Sequence, residues 1–148
     1  MNKEINDLIS AIQSVLTEDL LTPKYKNKER NHITEGHCYI CSEALYHMMG
    51  GKGSGLFPQV ASWSEGDERL SHWYLIDKDK NIVDPTKEQF LVKGINPPYN
   101  LGHGCGYLTK LPSKRASVII LRVSEKLGLV FKDISVSESV AEKNRPKK

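Results

Sequence analysis

Three residues of the sequence have the types that nucleophilic catalysis requires: Cys38 in the run GHCYIC, His72 in SHWYLI and Asp84 in IVDPT. Cysteine attacks a carbonyl carbon as the thiolate, which a helix N-terminus favours through unpaired backbone N–H groups and the helix dipole. The nucleophile also needs a base that takes its proton and later protonates a leaving amine, and an imidazole can do both. The imidazole needs an acceptor on its other nitrogen to hold one tautomer. Cys38, His72 and Asp84 supply these roles in that order. Together they describe attack on an amide or related acyl bond through a thioester that water or an amine resolves. The Cys38 backbone N–H and a side chain from the preceding loop, Asn31 or His32, are the candidate oxyanion donors. Trp73, beside His72, and Gly104, Gly106 and Tyr107 of the stretch LGHGCGY are candidates for lining the substrate site, the glycines by letting backbone come close.

These residues need elements to position them. Ile5, Leu8, Ile9, Ile12, Val15 and Leu16 recur at steps of three and four, which predicts a helix beginning at Asn2 or Lys3. A second helix is predicted from Cys38, with Ile40 or Cys41, Ala44, Leu45, Met48 and Met49 on its apolar face and Gly50-Gly51 as a left-handed stop. PQVASW and SHWYLI read as strands interrupted by the polar segment SEGDERL. The polar turn DKDKN then predicts a hairpin between HWYLI and Ile82-Val83-Asp84, ended by Pro85. With 84 − 72 = 12 residues between them, His72 and Asp84 can meet across that hairpin. A helical turn over residues 86–91, an irregular loop with a brief strand near Gly106 to Thr109, and a last helix capped by Ser113 and ended by Gly128 complete the expectation. Residues 1–136 would form one domain and residues 137–148 a frayed tail.

Gly36-His37-Cys38 opening a helix, Ser71-His72-Trp73-Tyr74 in a strand and Val83-Asp84-Pro85-Thr86 at a strand end resemble the core pattern of the transglutaminase-like branch of the papain-like cysteine hydrolases. More closely, GHCYICSEALYHMMGG, SHWYLIDKDKNIVDPTKEQF and PPYNLGHGCGYLTKLPSKRA resemble small bacterial and phage proteins of the YunG type. The resemblance spans about residues 36–116. It implies an α+β papain-like core, with helices packed on a small antiparallel sheet. It also implies Cys38 as nucleophile, His72 as base and Asp84 as its orienting partner. The chain is short for a transglutaminase, so hydrolysis or deamidation of a protein, peptide or small amide fits better than protein crosslinking.

Other readings use the same residues. A helical cysteine among apolar neighbours is often a buried hydrophobe, a strand histidine can be a core residue, and Asp84 can cap the turn that follows it. Cys38, Cys41, His103 and Cys105 could instead form a zinc site, with His37 as a spare ligand, although the H-x-C spacing is unusual for structural zinc. The fold could also serve as a non-catalytic phage or bacterial binding or inhibitor module. Composition bounds all of these readings. The 148 residues are 39% apolar and 26% charged, enough for a single core without disulfides. A net charge of +3 gives little reason to expect nucleic acid. No apolar run suits a bilayer, Glu4 and Asp7 interrupt the N-terminus where a signal peptide would be apolar, and three cysteines cannot all pair. A cytoplasmic protein with free thiols and no cofactor is the expectation.

Overall fold

The computed structural model of the chain describes residues 3–20, 37–107 and 110–129. Helix α1, Lys3–Ser14, buries Ile5, Leu8, Ala11 and Ile12 along one stripe. Leu16 and Leu20 continue the apolar contact just beyond it. Helix α2, Cys38–Met48, buries Ile40, Cys41, Ala44, Leu45 and Met48. It stops where Gly50 adopts a φ of 112°, a left-handed conformation that costs glycine little. Both expected apolar faces are present.

Strands β1, Leu56–Glu65, and β2, Glu68–Asp77, pair antiparallel along their whole length around the two-residue turn Gly66-Asp67. The charged segment SEGDERL is therefore the tip of a long hairpin and not an interruption between strands. Its polarity reflects an arm that extends past the core into water, where Ser64, Glu65 and Arg69 are exposed. Strand β3, Ile82–Val83, pairs antiparallel with β2, as the DKDKN turn predicts. Asp77 closes that turn by accepting from the backbone N–H groups of Asp79 and Asn81, both at 2.9 Å.

A four-residue helix, α3, spans Glu88–Leu91. Strand β4, His103–Gly104, then pairs with β1 at Val60 and Gln59, giving the sheet order β3-β2-β1-β4. The brief strand of the glycine-rich loop thus falls earlier than the expected residues 106–109, of which Leu108 and Thr109 lie outside the described residues. It sits where the edge of β1 is open to pairing, and the Cys105 N–H extends the contact to the Pro58 carbonyl at 3.2 Å. Helix α4, Lys114–Leu127, starts at Ser113, whose hydroxyl accepts from the Ala116 N–H, and ends at left-handed Gly128. The expected tail, residues 137–148, is outside the described residues.

The core lies between the three long helices and one face of the sheet, where Leu75, Val83 and Leu56 meet Leu45, Ile12, Ile119 and Val123. Helix α2 packs against α1, α4, β1 and β2. Glu43, fully buried on α2, ties in the last helix by accepting from the Ser113 N–H at 2.8 Å and the Ser113 hydroxyl at 2.6 Å. Burial pushes the Glu43 carboxyl up, and the two Ser113 bonds oppose that rise. The architecture is a mixed helix-and-sheet fold with a small antiparallel sheet. No helix among the described residues is long and apolar enough to cross a membrane.

Candidate active site

The backbone rules of the β2–β3 hairpin place His72 beside Asp84. Leu75 faces Val83 in the ladder, so the next position puts Asp84 opposite Tyr74. His72 lies two residues along from Tyr74 on the same face, which makes it the diagonal neighbour of Asp84. Pro85 then ends the ladder. Asp77 and Asn81 form a hydrogen-bonded pair, and such pairs recur at every second residue, at 75/83 and then 73/85. Pro85 has no N–H to give to the Trp73 carbonyl. That carbonyl accepts instead from the Ser42 hydroxyl of α2 at 3.1 Å. The end of the ladder is therefore where α2 enters, with Cys38 one turn before Ser42.

His72 is 1% exposed and Asp84 is 4% exposed, so their interaction is shielded from water. The His72 Nε2–H donates to Asp84 Oδ2 at 2.7 Å, and the Cys38 side chain lies near enough to the imidazole to raise its proton affinity. With Nε2 engaged, Nδ1 is the ring nitrogen that remains open to Cys38, and the Gln89 side-chain nitrogen lies 3.5 Å from it. Tyr74 stacks on the imidazole at 5.8 Å between ring centres, and Phe90 meets it edge-on at 4.7 Å. Burial by itself disfavours the charged ring. The hydrogen bond and charge of Asp84, together with Cys38, outweigh that effect and hold His72 at a pKa of about 9.

Asp84 also caps the turn that follows it. Its Oδ1 accepts from the Thr86 N–H at 3.0 Å and the Thr86 hydroxyl at 3.4 Å. Its Oδ2 accepts from the Tyr99 hydroxyl at 2.7 Å in addition to His72. Burial and the neighbouring Asp84 charge push the Tyr99 phenol up, so it remains a donor. From α1, the Gln13 amide donates to the Pro85 carbonyl at 2.8 Å and to Glu88 at 3.1 Å, which anchors the turn.

The other sequence candidates divide. Trp73 stacks with Tyr107 at 5.5 Å, and Tyr39 meets both edge-on, which forms an aromatic wall around the residue next to Cys38. Gly104 and Gly106 are exposed on the loop. The close backbone approach that the glycines suggested occurs at Gly102. A Cβ there would lie 1.7 Å from the Tyr74 hydroxyl oxygen, and Tyr74 is only 2% exposed. Asn31 and His32 lie outside the described residues.

The three cysteines are free and differ in surroundings: Cys38 is half-buried, Cys41 buried and Cys105 exposed. Burial, followed by the nearby Cys38 and Asp84, pushes the Cys41 thiol far up, and this residue packs in the core. No group of three or more His, Cys, Asp or Glu side chains suited to a metal ion occurs among the described residues, so Cys38, Cys41, His103 and Cys105 do not form the rival zinc site. His37, the spare ligand of that reading, is fully buried and lies 3.3 Å from the Thr17 carbonyl oxygen through Nε2.

Sequence reasoning missed Tyr99, Tyr74, Gln89 and Phe90 as neighbours of His72. Tyr74 was findable, because it shares a strand face with His72 at a spacing of two. Gln89 and Tyr99 sit on a short helix and a 3-10 turn whose placement no local pattern encodes. Comparison of the chain with known protein families, curated proteins and solved structures returns no match.

Proposed function

We propose that this chain is a cysteine-dependent hydrolase of amides or related acyl compounds, built on a papain-like core of the transglutaminase type. The observation that carries the reading is one buried imidazole bonded to Asp84, with a half-buried cysteine at the first position of a helix beside it. The antiparallel hairpin that presents His72 and Asp84 to that helix start is what supports the fold assignment.

In the proposed reaction the Cys38 proton passes to His72 Nδ1, and Sγ bonds to the carbonyl carbon of the substrate. The carbonyl oxygen becomes an oxyanion facing the Cys38 backbone N–H, which has no partner within the helix at this first position. The Nδ1 proton then moves to the leaving nitrogen, the C–N bond breaks and a thioester remains. Water attacks the thioester while His72 takes its proton, and cleavage of the C–S bond releases the acid. Asp84 holds the ring with Nδ1 toward the sulfur.

The test uses p-nitrophenyl acetate, with mass spectrometry to locate the acetyl group. A burst of nitrophenolate, acetyl on Cys38, and loss of both in Cys38→Ser and His72→Ala are expected. Folded wild-type protein that is never acetylated at Cys38 would overturn the proposal and favour a non-catalytic binding role.

A further inference from the structure

Besides Asp84 and Cys38, the His72 ring has a further polar neighbour. Gln89, on α3, places its side-chain nitrogen 3.5 Å from His72 Nδ1. The same nitrogen lies 3.0 Å from the Thr86 carbonyl oxygen and 3.1 Å from the Thr86 hydroxyl oxygen, so its two hydrogens serve three acceptors. The two Thr86 contacts fix which end of the carboxamide faces the imidazole, since only its NH2 group can serve two acceptors on Thr86. Thr86 is itself bonded to Asp84, so His72, Asp84, Thr86 and Gln89 close a ring of contacts around one imidazole. Asp84, Thr86 and Gln89 come from the strand end and the short helix after it, and Thr86 is fully buried.

We infer that Gln89 is a positioning residue that weakens the hold of His72 on the proton at Nδ1, the nitrogen that exchanges a proton with Cys38 and the leaving group. This inference deepens the proposed reaction and rests on it. The electropositive NH2 end of a carboxamide held 3.5 Å from Nδ1 is favourably placed toward the lone pair of the neutral ring. It opposes a ring that carries hydrogen there. Asp84 does the reverse, because its carboxylate across the ring favours the imidazolium. Without a counterweight, a buried imidazolium paired with Asp84 would keep the proton that the leaving nitrogen needs. Gln89 supplies that counterweight. It acts through His72, and nothing places it in contact with the reacting carbon.

The groups facing the ring are Cys38 from α2, Asp84 from the end of β3, Tyr74 from β2, Tyr99 from the 3-10 turn at residues 99–101, and Gln89 with Phe90 from α3. Of these, only Gln89 is altered in the test. Gln89→Met keeps length and removes the donor, while Gln89→Glu replaces it with an acceptor for Nδ1–H. The His72 ring resonance is followed by NMR against pH in wild-type and both variants, with folding checked by circular dichroism. The proton affinity of His72 is expected to rise severalfold in Gln89→Met, which removes the electropositive NH2 group from Nδ1, and further in Gln89→Glu. Hydrolysis of 4-nitroacetanilide, whose leaving nitrogen needs a proton, is expected to fall severalfold relative to p-nitrophenyl acetate, whose leaving group does not. An unchanged or lowered proton affinity in both folded variants overturns the inference, as does an unchanged ratio of the two rates. Failure of wild-type protein to acetylate Cys38 is a separate result. It removes the hydrolase reading, while the NMR titration independently shows whether Gln89 acts on His72.

Discussion

Replacing Asp84 with asparagine keeps the shape of the buried site and removes its charge. In the wild-type protein the 2.7 Å bond to Asp84 lies between side chains 1% and 0% exposed. With Cys38, it holds His72 at about 9 against the ordinary 6.5. That gap corresponds to roughly 300-fold in proton affinity, or about 3 kcal/mol at about 1.36 kcal/mol per tenfold. In Asp84→Asn the burial that opposes the charged ring and the Cys38 interaction that favours it both remain, so the titration midpoint is expected to fall from about 9 toward 6.5. If the new carboxamide turns its NH2 group toward Nε2, it also favours the tautomer with hydrogen on Nδ1, which cannot accept the Cys38 proton. Transfer of that proton to His72 then becomes less favourable by up to the same factor. Alkylation of Cys38 by iodoacetamide at pH 7 is expected to slow by up to about 300-fold. The assay pairs that rate, with the modified cysteine located by mass spectrometry, with the NMR titration of His72. Equal alkylation rates in the folded variant and wild type would refute the view that the pair activates the cysteine.

The same pair makes wild-type stability depend on pH. A histidine raised from 6.5 to about 9 on folding contributes fully below 6.5 and loses that contribution as pH rises through about 9, so urea unfolding should show a decline of up to about 3 kcal/mol across this window that Asp84→Asn lacks. Gly102→Ala is expected to cost about 1–3 kcal/mol by driving a methyl group into Tyr74, and Tyr74→Phe, which removes the nearest atom, should recover part of that loss in a double-mutant cycle. Glu43→Ala leaves the buried side of Ser113 without its acceptor and should lower the unfolding free energy by about 2–3 kcal/mol, whereas Glu43→Gln, which keeps one acceptor oxygen, should cost less.

What the sequence discloses here is what local chemistry encodes. The apolar stripes of α1 and α2, the Ser113 and Gly128 caps and the turn before β3 each depend on residues within a few positions of one another. The His72–Asp84 pair is legible for the same reason, since a hairpin converts sequence spacing into contact. The charged tip of the β1–β2 hairpin hides its strands, because residues with water on both sides lose the alternation that marks a half-buried strand. The glycine-rich loop is harder still. Its strand follows from the free edge of β1, and the need for glycine at position 102 comes from Tyr74, 28 residues earlier in the chain. Gln89 and Tyr99 show the same limit: ordinary residue types acquire a role through where the tertiary fold carries them.

The Ser42 hydroxyl, standing in for the donor that Pro85 lacks, also bears on the order in which the chain assembles. The His72–Asp84 bond closes a separation of 12 residues, whereas the Ser42 bond to the Trp73 carbonyl closes one of 31. Loop-closure entropy makes the longer contact costlier by roughly 1 kcal/mol before any packing offsets it. Loop closure therefore favours formation of the His72–Asp84 pair within its local hairpin before α2 docks on the Trp73 carbonyl and brings Cys38 to it. On that order the surroundings of Cys38 are completed only when α2 docks, so its rate of alkylation during refolding is expected to follow the docking step.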